Sequence, residues 1–245
     1  MNVRLYLIYI TLFINSLSSY VQAQDFVDFQ PNLRKNTYVK VKVDELHPTQ
    51  AVVGMIEVEA RIEKLEKMND EELKIYLKEK VAPIVVGPGG VPYIVDHHHL
   101  SRALLDGELK KKMYAQVVEN WSDLEPDEFW KRMKERNWVY LMDENGNPIS
   151  YEDIPKSLEN MKNDSFRSLA WGVREEGGFL KTTAPFVEYK WANYFRTLFK
   201  KKDIEKDFEK VVAEAMEASS KEAARNLPGF LDCNAHVTKT PMHDN

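Results

Sequence analysis

Pro83-Ile84-Val85-Val86-Gly87-Pro88-Gly89-Gly90-Val91-Pro92-Tyr93-Ile94-Val95-Asp96-His97-His98-His99-Leu100-Ser101-Arg102-Ala103-Leu104-Leu105 carries most of the architectural information in this chain. Two short apolar runs, residues 83–86 and 93–95, flank a Gly-Pro-Gly-Gly segment whose glycines supply the positive φ that a tight hairpin needs. Asp96 then stands where a helix would begin, in the position of an N-cap, with good helix formers following the three histidines. The unit reads as strand, turn, strand, helix.

Upstream, residues 37–43 alternate between Tyr38, Lys40, Lys42 and Val39, Val41, Val43, a period of two that marks a half-buried strand. The run Asp44-Glu45-Leu46-His47-Pro48-Thr49-Gln50 follows as a loop. Met55, Val58, Ile62 and Leu65 recur near helical spacing, and Asn69 is placed to cap a second helix through Leu73 and Leu77. Downstream, residues 114–118 suit one more strand. Beyond Trp121 the expectation is helical: residues 125–137, aromatic-rich segments at 166–171 and 185–199, and one long Ala, Glu and Lys-rich helix over 203–226. Trp171, Lys181, Glu188, Trp191 and Arg196 could line a cleft, but Trp191, Phe195 and Phe199 fall on one helical face, a stripe more often found in the core.

Residues 1–23 stand apart. One charge, Arg4, precedes an apolar run of about ten residues, half of what a membrane span needs, and Val21-Gln22-Ala23 supplies small residues for cleavage. We read a secretory signal peptide at 1–23, a chain starting at Gln24, and a secreted or periplasmic protein. Its removal takes away Arg4 and no acid, changing the formal charge from -5 over 245 residues to -6 over 222. An acidic balance argues against a strongly basic, sequence-independent nucleic-acid binder. The single cysteine, Cys233, excludes an intramolecular disulfide and a cysteine-based zinc site. Asn163-Asp164-Ser165 is a glycosylation sequon that acts only in a eukaryotic secretory pathway.

The histidines occupy a strand-to-helix junction, where free N–H groups and the positive helix end attract phosphate or carboxylate. Side chains about 100° apart cannot all face one ligand, so two of the three at most do so. Lacking i, i+4 spacing, they are not assigned a metal.

The run from Pro83 to Leu104, with Leu46-His47-Pro48-Thr49-Gln50 upstream, resembles the ParB/sulfiredoxin superfamily, and within it the ParB-like nuclease group. The resemblance covers residues 37–118. It implies an α+β fold, a small mixed sheet with helices over 24–120, to which we add a mainly helical extension over 121–233 and a loose tail over 234–245. It also implies a helix N-terminus that binds phosphates of a nucleotide or nucleic acid. Carried over, His98 and His99 stand at the family's basic positions and Gln50 at its Gln, while Asp96 replaces a usual Gly. The sulfiredoxin cysteine has no counterpart, which argues against sulfinic-acid reduction.

Three functions follow from these expectations. A phosphodiester hydrolase would use His98 or His99 as acid or base, with Asp44 and Glu45 brought near them, and Asp96, His97, Ser101, Arg102, His47, Thr49 and Gln50 around the phosphate. A nucleotide-dependent phosphotransferase would take Asp44 or Glu45 as base and Mg²⁺ as cofactor. A non-enzymatic module would bind an anion or partner and need neither.

Overall fold

The structure is a computed structural model that describes residues 25–232. The signal-peptide segment, Gln24, Cys233 and the tail lie outside the described residues.

Strands β1 (Val27–Asp28), β2 (Tyr38–Lys42) and β3 (His47–Pro48) precede β4 (Val52–Val53) and two helices, α1 (Met55–Glu66) and α2 (Asp70–Glu79). Then come β5 (Ala82–Val86), β6 (Pro92–Ile94), α3 (His98–Asp106) and β7 (Lys112–Asn120). The second half holds α4 (Pro126–Glu135), β8 (Lys162–Asn163), α5 (Ser165–Glu175), α6 (Val187–Arg196), α7 (Lys201–Lys206) and α8 (Phe208–Ser219). One six-stranded mixed sheet runs β1-β2-β7-β5-β6-β3, and β4 pairs with β8 in a second, two-stranded sheet. This is the small mixed sheet with helices that the sequence implies.

Each element has a local cause. In β2 the alternation puts Val39 and Val41 fully inside while Lys40 and Lys42 stay in water. Asn69 caps α2 as expected, accepting from the amides of Glu71 and Glu72 at 3.0 Å each, and Glu72 completes a capping box. Between β5 and β6, Gly89 (φ 70°) and Gly90 (φ 82°) make the left-handed turn. Neighbouring β5 residues then face opposite cores: Ile84 and Val86 lie under α1 to α3, and Val85 packs with Phe129 and Met133 of α4.

Helices α5 to α8 enclose a separate core around Phe166, Leu169, Trp191, Phe195 and Val211. It joins the first at α1 and α5, where Gly54 is required: a Cβ there would come within 2.8 Å of both Ser168 N and Oγ.

The single long helix expected over 203–226 is instead two helices. Asp207 is extended (φ -153°, ψ 81°) and its carboxylate accepts from Lys210 N, so it ends α7 and caps α8. Among the described residues no helix is long and apolar enough to cross a membrane.

Candidate anion-binding site

A cavity of about 780 Å³ opens where the N-terminus of α3 meets α1, α5 and the segment leading into α6. His97, not Asp96, is the N-cap of α3. It is left-handed (φ 67°, ψ 23°), and no side chain caps the helix. Asp96 is exposed and its Oδ1 accepts from His97 N at 2.7 Å, holding the unusual backbone rather than covering the helix end. The expected Asp96 cap is thereby corrected. The first helical hydrogen bond runs from Ser101 N to His97 O, so the amides of His98, His99 and Leu100 precede it and carry the positive end of the helix.

His98 and His99 are 5% and 8% exposed. His98 Nε2 accepts from Thr49 N (3.1 Å) and His99 Nε2 accepts from Gly54 N (3.0 Å), so both rings tie the 49–54 backbone to α3. An acceptor Nε2 places the proton on Nδ1 and makes each ring neutral. Burial pushes His98 down to about 4 and His99 well below the ordinary histidine value. The expectation that they supply charge or an exchangeable proton near neutral pH is therefore corrected. His97 is the histidine of the three left free to act on a ligand: it is half-buried, lines the cavity, and no described residue hydrogen-bonds its ring. Burial, opposed by Asp96, lowers its pKa and keeps it neutral.

The remaining expected residues divide. Gln50 lines the cavity, donating to Val52 O (2.8 Å) and to the Tyr189 hydroxyl (2.6 Å). Thr49 is buried and gives its hydroxyl to Ile94 O at 2.9 Å. Ser101 donates to His97 O (3.0 Å) and contacts Met113 Sδ. Half-buried His47 sets its ring edge-on to Tyr93. Arg102 is engaged by Asp106 and by the carbonyls of Leu158 and Met161. Asp44 and Glu45 are exposed in a turn outside the cavity lining, with Glu45 paired to Lys42 at 2.6 Å. They are not brought to the histidines, because the short helical turn over 43–45 points them into solvent while Leu46 enters the core.

Sequence reading missed the buried charges. Glu57 is 2% exposed, with its Oε1 bonded to Arg61 Nη2 (2.7 Å) and its Oε2 lying 3.0 Å from Arg167 Nη1 and 3.6 Å from His99 Nε2. Burial opposes its ionisation, but the charges around it hold its pKa well below the carboxylate range. With His99 neutral, the Arg167 and Arg61 guanidiniums are the charges responsible. Arg167, 5% exposed, sits with its guanidinium 5.3 Å from the Tyr189 ring centre. Its Nε has no hydrogen-bond partner, and Nη1 is close to Glu57 but out of line for a hydrogen bond. Lys80 also lines the cavity, as do Lys181, Trp171 and Glu188, which the sequence anticipated. Arg196 and Trp191 do not belong there: Arg196 pairs with Asp164 at 2.8 Å, and Trp191 is in the core, as its helical face implied. Among the described residues no group of three His, Cys, Asp or Glu side chains converges as a metal site.

Residues 39–197 match the family described as "Putative ParB-like nuclease". The chain belongs to this family. The match runs past the 37–118 segment in which the resemblance was first legible and reaches the end of α6, so the ParB-like region includes both Arg167 and Tyr189. The chain is also similar to protein Atu1540 from Agrobacterium tumefaciens, known from a crystal structure: 34% identity, 79% of this chain and 97% of that chain covered, TM-score 0.72. No curated protein matches.

Proposed function

We propose that this ParB-like protein is an exported phosphodiester hydrolase that seats a phosphate of a nucleotide or nucleic acid on the N-terminus of α3. The observation that carries the reading is the uncapped first turn of α3, its left-handed His97 facing a cavity with Lys80 and Lys181 in the lining. Free amides and lysines stabilise the charge that grows on the phosphoryl oxygens. Neutral His97 accepts a proton from water as the water oxygen bonds to phosphorus; the ester oxygen leaves with the bonding pair and is protonated by solvent. His98 and His99 are positioning residues, holding the 49–54 backbone against the helix.

The test uses the chain from Gln24 onward. Inorganic phosphate and 5′-nucleotides are titrated calorimetrically, and short single-stranded DNA and RNA are assayed for cleavage with and without Mg²⁺. His97→Ala should lower cleavage by about a hundredfold, the contribution of a positioned acid or base, with binding retained. Binding without cleavage under every condition would remove the hydrolase and leave a phosphate-binding module. Absence of both would remove the reading. Export is tested by intact mass: the secreted or periplasmic chain should begin at Gln24.

A further inference from the structure

The segment 181–185, between α5 and α6, lines the cavity along its whole length. Lys181, Thr183 and Pro185 are nonetheless exposed, which places the segment at the cavity rim. Both of its ends are fixed. On one side Phe179 is 2% exposed with its ring stacked on Trp191 at 4.4 Å, and Leu180 N donates to Gly229 O (2.8 Å). On the other side the Phe186 ring lies 5.3 Å from that of Tyr140, and the Phe186 carbonyl accepts from Lys190 N. Between these points the backbone is not anchored. The amides of Lys181, Thr182 and Thr183 donate to no described residue, and the bond from Ala184 N to Thr182 Oγ1 (3.2 Å) stays within the segment. Water already serves those amides, so the segment moves at little cost in hydrogen bonds.

The free groups it carries are donors. Beside three consecutive amides stands the Lys181 ammonium, which no described residue meets in an ion pair or hydrogen bond. Other cations of the lining are committed: Arg61 and Arg167 to Glu57, and Arg174 to both Glu175 and Glu188. Lys181 is therefore a charge without an acid, next to amides without acceptors, and an anion satisfies both. The strap and the α3 end also share one field. Burial is the main cause of the depressed His97 pKa, and the charge of Lys181 contributes to it.

We infer that residues 181–185 form a strap that closes on the anion seated at α3, the Lys181 ammonium and the amides beside it completing the cage and holding the ligand in place. This rests on the reading that α3 binds phosphate and adds the closure over it.

Amide hydrogen exchange of the chain from Gln24 onward, with and without saturating inorganic phosphate, tests it. Alone, the amides of 181–184 should exchange as unprotected chain; phosphate should slow them at least about tenfold, together with those of 98–100. Lys181→Gln keeps the length of the strap and removes its charge. It should weaken phosphate binding by about tenfold in calorimetry, the loss expected of one charge-assisted hydrogen bond, and should lose the protection of 181–184 while keeping that of 98–100. Lys181→Arg should retain both effects. Phosphate that protects 98–100 but leaves 181–184 exchanging freely overturns the strap and leaves the α3 seat standing. Protection of 181–184 that is unchanged in Lys181→Gln overturns closure by that charge. If phosphate slows neither segment, the α3 reading fails and the strap falls with it.

Discussion

Replace His98 by glutamine and follow urea unfolding of the two chains between about pH 7 and about pH 5. His98 is buried with its Nε2 committed as an acceptor to Thr49 N, and burial pulls its pKa from 6.5 down to about 4. In the unfolded chain the ring keeps its ordinary value, so the unfolded state binds the proton first. The His98 contribution is therefore fully present above the unfolded value and is lost as pH falls toward the folded one. Integrating the two titrations gives about 2 kcal/mol lost between about pH 7 and about pH 5 from His98 alone, each pKa unit being worth about 1.4 kcal/mol. The glutamine of His98→Gln can still offer an oxygen to the Thr49 amide but does not titrate. The other histidines with depressed values, His47, His97 and His99, add to the slope in both proteins and cancel in the comparison. Glu57 cancels as well, being present in both proteins, and its contribution starts to be lost only as pH falls through the ordinary carboxylate value of the unfolded chain. The variant should thus lose about 2 kcal/mol less than the parent over this interval. A difference below about 0.5 kcal/mol would show that His98 is not held neutral in the fold, and the account of the histidines as latches would fall with it.

Three further outcomes are expected. Arg167→Met leaves the Glu57 carboxylate buried with only Arg61 beside it and should cost about 3 kcal/mol in urea unfolding, partly recovered by adding Glu57→Gln. Asn69→Ala removes the capping box of α2 and should cost about 1 kcal/mol, read as a lowered Tm. Gly54→Ala sets a methyl 2.8 Å from Ser168 N at the α1 and α5 contact, and a loss of about 1–3 kcal/mol is expected; an unchanged stability would mean that the contact yields freely.

The parts of the fold legible in the sequence are those governed by neighbours along the chain. The β5-turn-β6-α3 unit depends on Gly89, Gly90 and β-branched residues within a short window, and the α2 cap on Asn69 and Glu72 three positions apart. The site was legible in its α3 half and, on the other side, in Trp171, Lys181 and Glu188, but not in its buried charges. Glu57 and Arg167 look like ordinary helix charges until α1 and α5 pack together; nothing local distinguishes them from the many exposed Glu and Arg around them. The burial of His98 and His99 is likewise a tertiary event, produced by the 49–54 backbone folding over them. The break at Asp207 had a signal that composition concealed, a capping residue type inside a run of helix formers.

The Glu57 and Arg167 pair also orders events in time. Glu57 is made early in synthesis and Arg167 far later, so a chain emerging from its amino end holds a carboxylate that has no Arg167 to meet. Burying it at that stage, with Arg61 alone beside it, carries a penalty of several kcal/mol for an incompletely compensated ion. Helix α1 therefore gains its full reason to settle only when α5 arrives, and the same arrival delivers Arg167 to the cavity. Completion of the α1–α5 contact and delivery of Arg167 to the cavity become one event, and a truncated product ending before α5 would lack both.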